Sequence, residues 1–167
     1  MSLKKLKFDL RKYSDKKKAK ISLRFFKTGP GEYAEGDIFL GITVPMLRIF
    51  SKRYQSLAFN ETLQLLKSRI HEERLLSLLI LILQYRKVDL SGKREIYKAY
   101  LNHSKYVNNW DLVDVSAKHI IGDYLKDKDK TLLYKLARSD SLWERRIAIL
   151  STFHFIENND FEDTLKI

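Results

Sequence analysis

Two short runs hold the residue types best suited to chemistry. In Asn108-Asn109-Trp110-Asp111-Leu112-Val113-Asp114, two carboxylates three positions apart follow an indole. With Asn109 as the cap, Trp110, Asp111 and Asp114 fall in the first five positions of a helix, where carboxylates gain from the helix dipole and from free N–H groups. In Ser141-Leu142-Trp143-Glu144-Arg145-Arg146, an indole and a guanidinium three apart open a second helix. Trp110 and Trp143 are the two tryptophans of the chain and sit 33 positions apart. On successive helix pairs, two indoles, an aspartate and an arginine would share one wall. The same spacings also fit a structural reading, in which Asp111 completes a cap, the tryptophans pack between helices and Arg146 neutralises Asp114 or Glu144.

Other chemistries find less support. The chain has no cysteine, which excludes a disulfide, a thiol nucleophile and a thiolate metal site. His71, His103, His119 and His154 show no metal-ligand spacing and read as boundary or surface residues. The glycine-rich stretch 28–44 lacks the lysine followed by serine or threonine of a phosphate-binding loop, and no strong strand precedes it.

The elements that must position these residues read as helices. Hydrophobic residues make up 44% of the 167 and charged residues 32%, with only six glycines and two prolines, which argues against disorder and against a turn-rich β fold. The spacing predicts a first helix over 15–27, with Ile21, Phe25 and Ala19 on its buried side. Pro45 suits the first turn of a helix to about Tyr54, and Asn60 caps one through Arg69. The segment 72–87 is apolar nearly all round, which marks a buried central helix. Ser91 is read as the cap of the next, followed by helices over 109–126, 130–138 and 142–158. The last residues, 160–167, resemble the opening of another. Amphipathic helices that alternate short with long, joined by short links, suit a HEAT-like or armadillo-type α-α superhelix, a solenoid of antiparallel helix pairs; a compact orthogonal bundle would read almost the same.

Net charge is +11, and residues 1–27 carry 11 basic against two acidic side chains. Such an excess favours a polyanionic partner, nucleic acid ahead of membrane, although much of it is a basic arm. The longest apolar run, Leu78–Leu83, is far short of the roughly 20 residues of a membrane span, and the start carries no apolar signal segment. A cytoplasmic location is expected.

Asn109-Trp110-Asp111-Leu112-Val113-Asp114, Leu142-Trp143-Glu144-Arg145-Arg146-Ile147-Ala148 and Phe39-Leu40-Gly41-Ile42 with Pro45 and Arg48 together resemble the AlkD-like family of HEAT-like-repeat DNA glycosylases. The likeness extends over nearly the whole chain. It implies a right-handed helical solenoid whose concave, basic face holds duplex DNA, and excision of positively charged N3- and N7-alkylated purines without metal or cofactor. Under it, Asp114 matches the catalytic aspartate and Trp110 the tryptophan beside the lesion's deoxyribose. Arg146 matches the arginine of the cleft, flanked by Arg145 and Trp143, while Phe26, with Lys27 beside it, is the nearest match to an N-terminal aromatic. Family members generally have longer chains, so the expectation is a single domain over 1–167 that is incomplete at its C-terminal end. A monomer is expected, with an uncapped last helix pair through which two copies could pair. The alternatives are a non-catalytic binder of damaged or branched DNA and, behind it, a helical scaffold for a protein partner.

Overall fold

Ser2 and Asp15 start the first two helices by accepting hydrogen bonds from backbone N–H groups of Lys5 and of Lys17 and Lys18. In the computed structural model, which describes residues 1–167, they open α1 (Leu3–Arg11) and α2 (Lys16–Phe25). There follow α3 (Val44–Arg53), with Pro45 in its first turn, α4 (Phe59–Leu66) and α5 (His71–Tyr85). Then come α6 (Leu90–Asn102), α7 (Trp110–Ala117) and α8 (Asp123–Leu125). The chain ends with α9 (Thr131–Ala137), α10 (Leu142–Ile156) and α11 (Glu162–Lys166). There is no sheet; the nearest approach to one is an isolated bridge between Ile38 and Ile70. The fold is all-α and built from packed helix pairs, as in a helical solenoid, and it divides into two compact units, Met1–Gln84 and Tyr85–Ile167. No helix is long and apolar enough to cross a membrane.

In the first unit α5 is the central element, buried at every position from His71 to Ile82. Its apolar part follows from the run the sequence marks, but its first turn buries charge. The Glu72 carboxylate accepts from the backbone N–H groups of Leu40, Gly41 and Ile42 at 3.0, 2.7 and 3.3 Å, so it caps the returning end of the glycine-rich loop. Glu73 is fully buried and is paired with the Lys7 ammonium of α1 at 2.8 Å. Asp37 receives Arg74 at 2.6 Å and lies 3.3 Å from His71 Nδ1. Burial opposes the ionisation of Asp37, but His71 and Arg74 together outweigh it and hold its carboxyl below the ordinary value of 3.8. His71 is thus buried rather than at a boundary.

Four further expectations are corrected by the structure. A helix, α1, precedes the first expected one, burying Leu6 and Leu10. Asn60 lies inside the first turn of α4 rather than at its cap, because the helix already begins at Phe59. Asp89 rather than Ser91 caps α6, accepting from Gly92 N–H at 2.9 Å. Ile21 and Phe25 of α2 are not buried but 66% and 62% exposed, and α2 has no fully buried residue. The reason is the approach of the loop to α2. Asp15 N–H donates to Leu40 C=O, and a Cβ on Gly41 would lie 2.1 Å from Asp15 C=O and 2.6 Å from Ala19 N. Contact that close is made with the small Ala19 side of α2, so its bulky residues turn outward.

The second unit centres on α10, which packs on α9 and against α7. Leu112, Val113, Ala117, Ile120, Ile121 and Leu125 meet a core shared with Leu133, Ile147, Ala148 and Phe155. Between α7 and α8 the chain stays helical through a π turn, Lys118–Gly122. A Cβ at Gly122 would lie 2.3 Å from Ser151 C=O, so a side chain there would push α10 away.

Gly41 adopts φ +80°, a conformation that L side chains rarely take, and it has no room for a methyl group. Gly41→Ala should therefore lower the unfolding free energy by about 3 kcal/mol or more, read from urea unfolding; an unchanged midpoint would contradict this packing. Asp37 stabilises the fold above its unfolded pKa, and that contribution is lost as pH falls through its lowered folded value. The stability of Asp37→Asn should thus vary less between pH 5 and pH 2 than that of the unaltered chain in a pH series of thermal melts.

Candidate nucleic-acid interface

The Asn109 side-chain oxygen accepts from Trp110 N–H at 2.8 Å and starts α7, so the expected cap is present. Trp110 and Asp114 are then four positions apart on one helix face. Ser141 caps α10 through Glu144 N–H, and Trp143 and Arg146 follow three apart. The two helices meet at the charged members of these pairs. Arg146 grips Asp114 in a bidentate fork, Nε to Oδ1 at 2.7 Å and Nη2 to Oδ2 at 2.8 Å. The side chains of Asp114 and Arg146 remain 33% and 37% exposed. Each indole is half-buried and lies one turn N-terminal to the fork on its own helix.

The fork fixes the orientation of the Asp114 carboxylate and, by the same hydrogen bonds, raises the Arg146 pKa above its already high ordinary value. A carboxylate has about four acceptor sites, so a bidentate arginine leaves about two. Those that remain belong to a part-exposed, oriented anion beside an indole. That arrangement can face a cation or hold a water molecule.

Arg145 is used differently from its neighbour. Its Nη1 donates to the carbonyls of Ser139 and Asp140 at 2.7 and 3.0 Å, tying down the turn before α10. Glu144 accepts from Ser139 Oγ and, at 3.4 Å, from Ser104 Oγ. In the first unit, Phe26 is half-buried, stacks on Phe39 with ring centroids 5.1 Å apart and meets the His71 ring at a tilt, 4.8 Å away. Lys27 is exposed with φ +53°, and its carbonyl accepts from Ala34 N–H. The structure thus joins Asp114 to Arg146, ties Arg145 to its own turn and sets Phe26 in an aromatic cluster.

A family model described as DNA alkylation repair enzyme matches residues 6–167. The chain belongs to that family. Comparisons with curated proteins and with solved structures return no match. Membership in this DNA alkylation repair family covers both units and takes in Phe26, Trp110, Asp114, Trp143 and Arg146.

Sequence reasoning missed the charged groups that follow Asp114 along the same helical run. Lys118, one turn further along, pairs with Glu157, which follows the last residue of α10. Asp123 receives the Tyr85 hydroxyl at 2.8 Å and the Lys93 ammonium at 3.0 Å. The four-position step from Asp114 to Lys118 was a usable signal; the π turn that carries the row onward was not.

Because the fork is half-exposed, solvent and salt weaken it. A double-mutant cycle with Asp114→Asn and Arg146→Met should give a stability coupling of about 1 kcal/mol at low ionic strength, shrinking at high salt. Zero coupling at low salt would mean the fork holds nothing together.

Proposed function

We propose that this member of the DNA alkylation repair family is a DNA glycosylase that removes positively charged N3- and N7-alkylated purines from duplex DNA. The observation that carries the reading is Asp114, a carboxylate oriented by Arg146, part-exposed and one helical turn from Trp110.

An alkylated purine that already bears positive charge is a good leaving group. The C1′–N bond breaks with its electron pair going to the purine, which departs neutral, and the sugar becomes cation-like. A fixed carboxylate nearby lowers the energy of that charge as it forms. Water then adds at C1′ and loses a proton, for which Asp114 is the acceptor at hand. The Trp110 and Trp143 faces add cation–π attraction to the same developing charge. Arg146 acts as a positioning residue for Asp114, and its remaining donors, with Arg145, Phe26 and Lys27, serve as contacts to the duplex. The phosphate contacts made by the arginines and the lysine position DNA without reading its sequence. The reaction assigned to these side chains needs no metal or cofactor.

A second reading is supported by the fork itself. Two of the carboxylate's acceptor sites and much of its charge are taken by Arg146, which suits a protein that binds damaged or branched DNA without cutting the glycosidic bond.

Release of methylated purine from alkylated duplex separates the two. The glycosylase reading expects release by the unaltered chain, a fall of at least about 100-fold in Asp114→Asn, and duplex binding retained in that variant. Lesion-dependent binding with no release from either protein would establish the binder instead, and equal release from both would remove Asp114 from the mechanism.

A further inference from the structure

Lys118, four positions after Asp114, also lines a cavity of about 270 Å³, together with Arg86, His119, Asp123, His154 and Glu157 among others. By volume it could hold about nine water molecules, ample for a tetrahedral oxyanion. Its walls converge from several elements: Tyr85 and Arg86 at the start of the second unit, Lys93 on α6, the π turn with Lys118 and His119, Asp123 at the start of α8, and His154 and Glu157 at the end of α10. Single π turns within α-helices are frequent at functional sites.

The charges of this cavity are unbalanced in a particular way. Asp123 is saturated: besides Tyr85 and Lys93 it has Lys126 at 3.7 Å and His154 Nε2 at 3.8 Å. Glu157 is paired with Lys118 but is itself well exposed, so it is free to swing out. No carboxylate pairs with the exposed Arg86 guanidinium. Burial first, and then the neighbouring cations Arg86 and Lys118, push the His119 pKa down, while Glu157 opposes them. His154 is pushed down too, by burial with Lys126 and Lys118 against the pull of Asp123 and Glu157. The cavity thus contains two imidazoles whose protonation is opposed by burial and by neighbouring cations despite Asp123 and Glu157, and a bound anion would offset part of that opposition.

We propose that this cavity binds a phosphate group of the nucleic-acid backbone, with Arg86 and Lys118 as its cations and His119 and His154 as hydrogen-bond donors. The proposal rests on the reading of duplex DNA as the partner and extends the contact surface past Asp114 to a second anchoring point. It implies a linkage. Occupancy raises both histidine pKa values, so affinity must increase as pH falls from 8 to 6.

Inorganic sulfate is the first probe, because it does not itself titrate in that range. Ring resonances of His119 and His154, followed by NMR in the full chain, should move saturably with sulfate, with at least severalfold tighter binding at pH 6 than at pH 8. Glu157→Gln, which releases Lys118, should bind sulfate more tightly, a gain that a purely structural role would not give. With duplex DNA, Arg86→Ala should weaken binding and reduce the slope of log K against log salt by about 0.9, the loss of one phosphate contact. Sulfate that leaves both rings unmoved, with Arg86→Ala matching the unaltered chain on duplex, would overturn the proposal while leaving base release by Asp114 intact. Sulfate binding with an unchanged duplex slope would overturn the backbone as the source of the anion. A chain that shifts with sulfate but binds no duplex at all would instead defeat the reading on which the proposal rests.

Discussion

The close approach of α7 and α10 is the constraint on which the functional surface depends. Asp114 meets Arg146, and Gly122, about two turns on, meets the Ser151 carbonyl, so contacts advance together and the two helices run in the same direction. A missing side chain at Gly122 sets the spacing, and the fork between Asp114 and Arg146 uses it. At that distance a guanidinium reaches both carboxylate oxygens, orients them and leaves the pair open to solvent on one side. A wider spacing would leave a flexible aspartate with no fixed direction.

The first unit rests on a related device with the opposite sign of burial. Glu72 collects three backbone N–H groups of a loop that would otherwise leave them unpaired beside α5. Gly41 then passes against α2 with no room for a side chain. In both units a glycine permits contact and a carboxylate secures it. In the first unit the carboxylate is consumed by the fold; in the second it stays part-exposed, which is why Asp114 and not Glu72 carries the functional reading.

Electrostatics divides the chain in the same spirit. Most of the net positive charge lies in residues 1–27, where solvent screens it and its natural effect is on encounter with a polyanion. In the second unit several basic side chains are matched by acids: Arg146 by Asp114, Lys118 by Glu157, Lys93 by Asp123. Paired cations hold geometry and yield to a phosphate only where their acid partner can leave, as exposed Glu157 can. Net charge therefore says little about where an anion would bind, and the exceptions to pairing say more.

Helical class, the buried run of α5, the cap at Asn109 and the family were all legible in the sequence, because periodicity, capping chemistry and a few short motifs are local properties. Asp114 and Arg146 were readable as residues of interest for the same reason. The sequence offered Asp114 and Glu144 equally as partners of Arg146, and the choice of Asp114 was not legible, since nothing local fixes the distance between two helices so widely separated along the chain. Tertiary structure alone decided that α2 turns Ile21 and Phe25 outward, because the contact displacing them is a backbone from the far side of the glycine-rich loop, at Gly41, and the period of a helix cannot report it. It also decided that three adjacent charged residues, Glu72, Glu73 and Arg74, are buried. A charge run reads as a solvated face until opposite charges and N–H donors from distant segments arrive beside it, and only folding brings Lys7, Asp37 and the 40–42 backbone there.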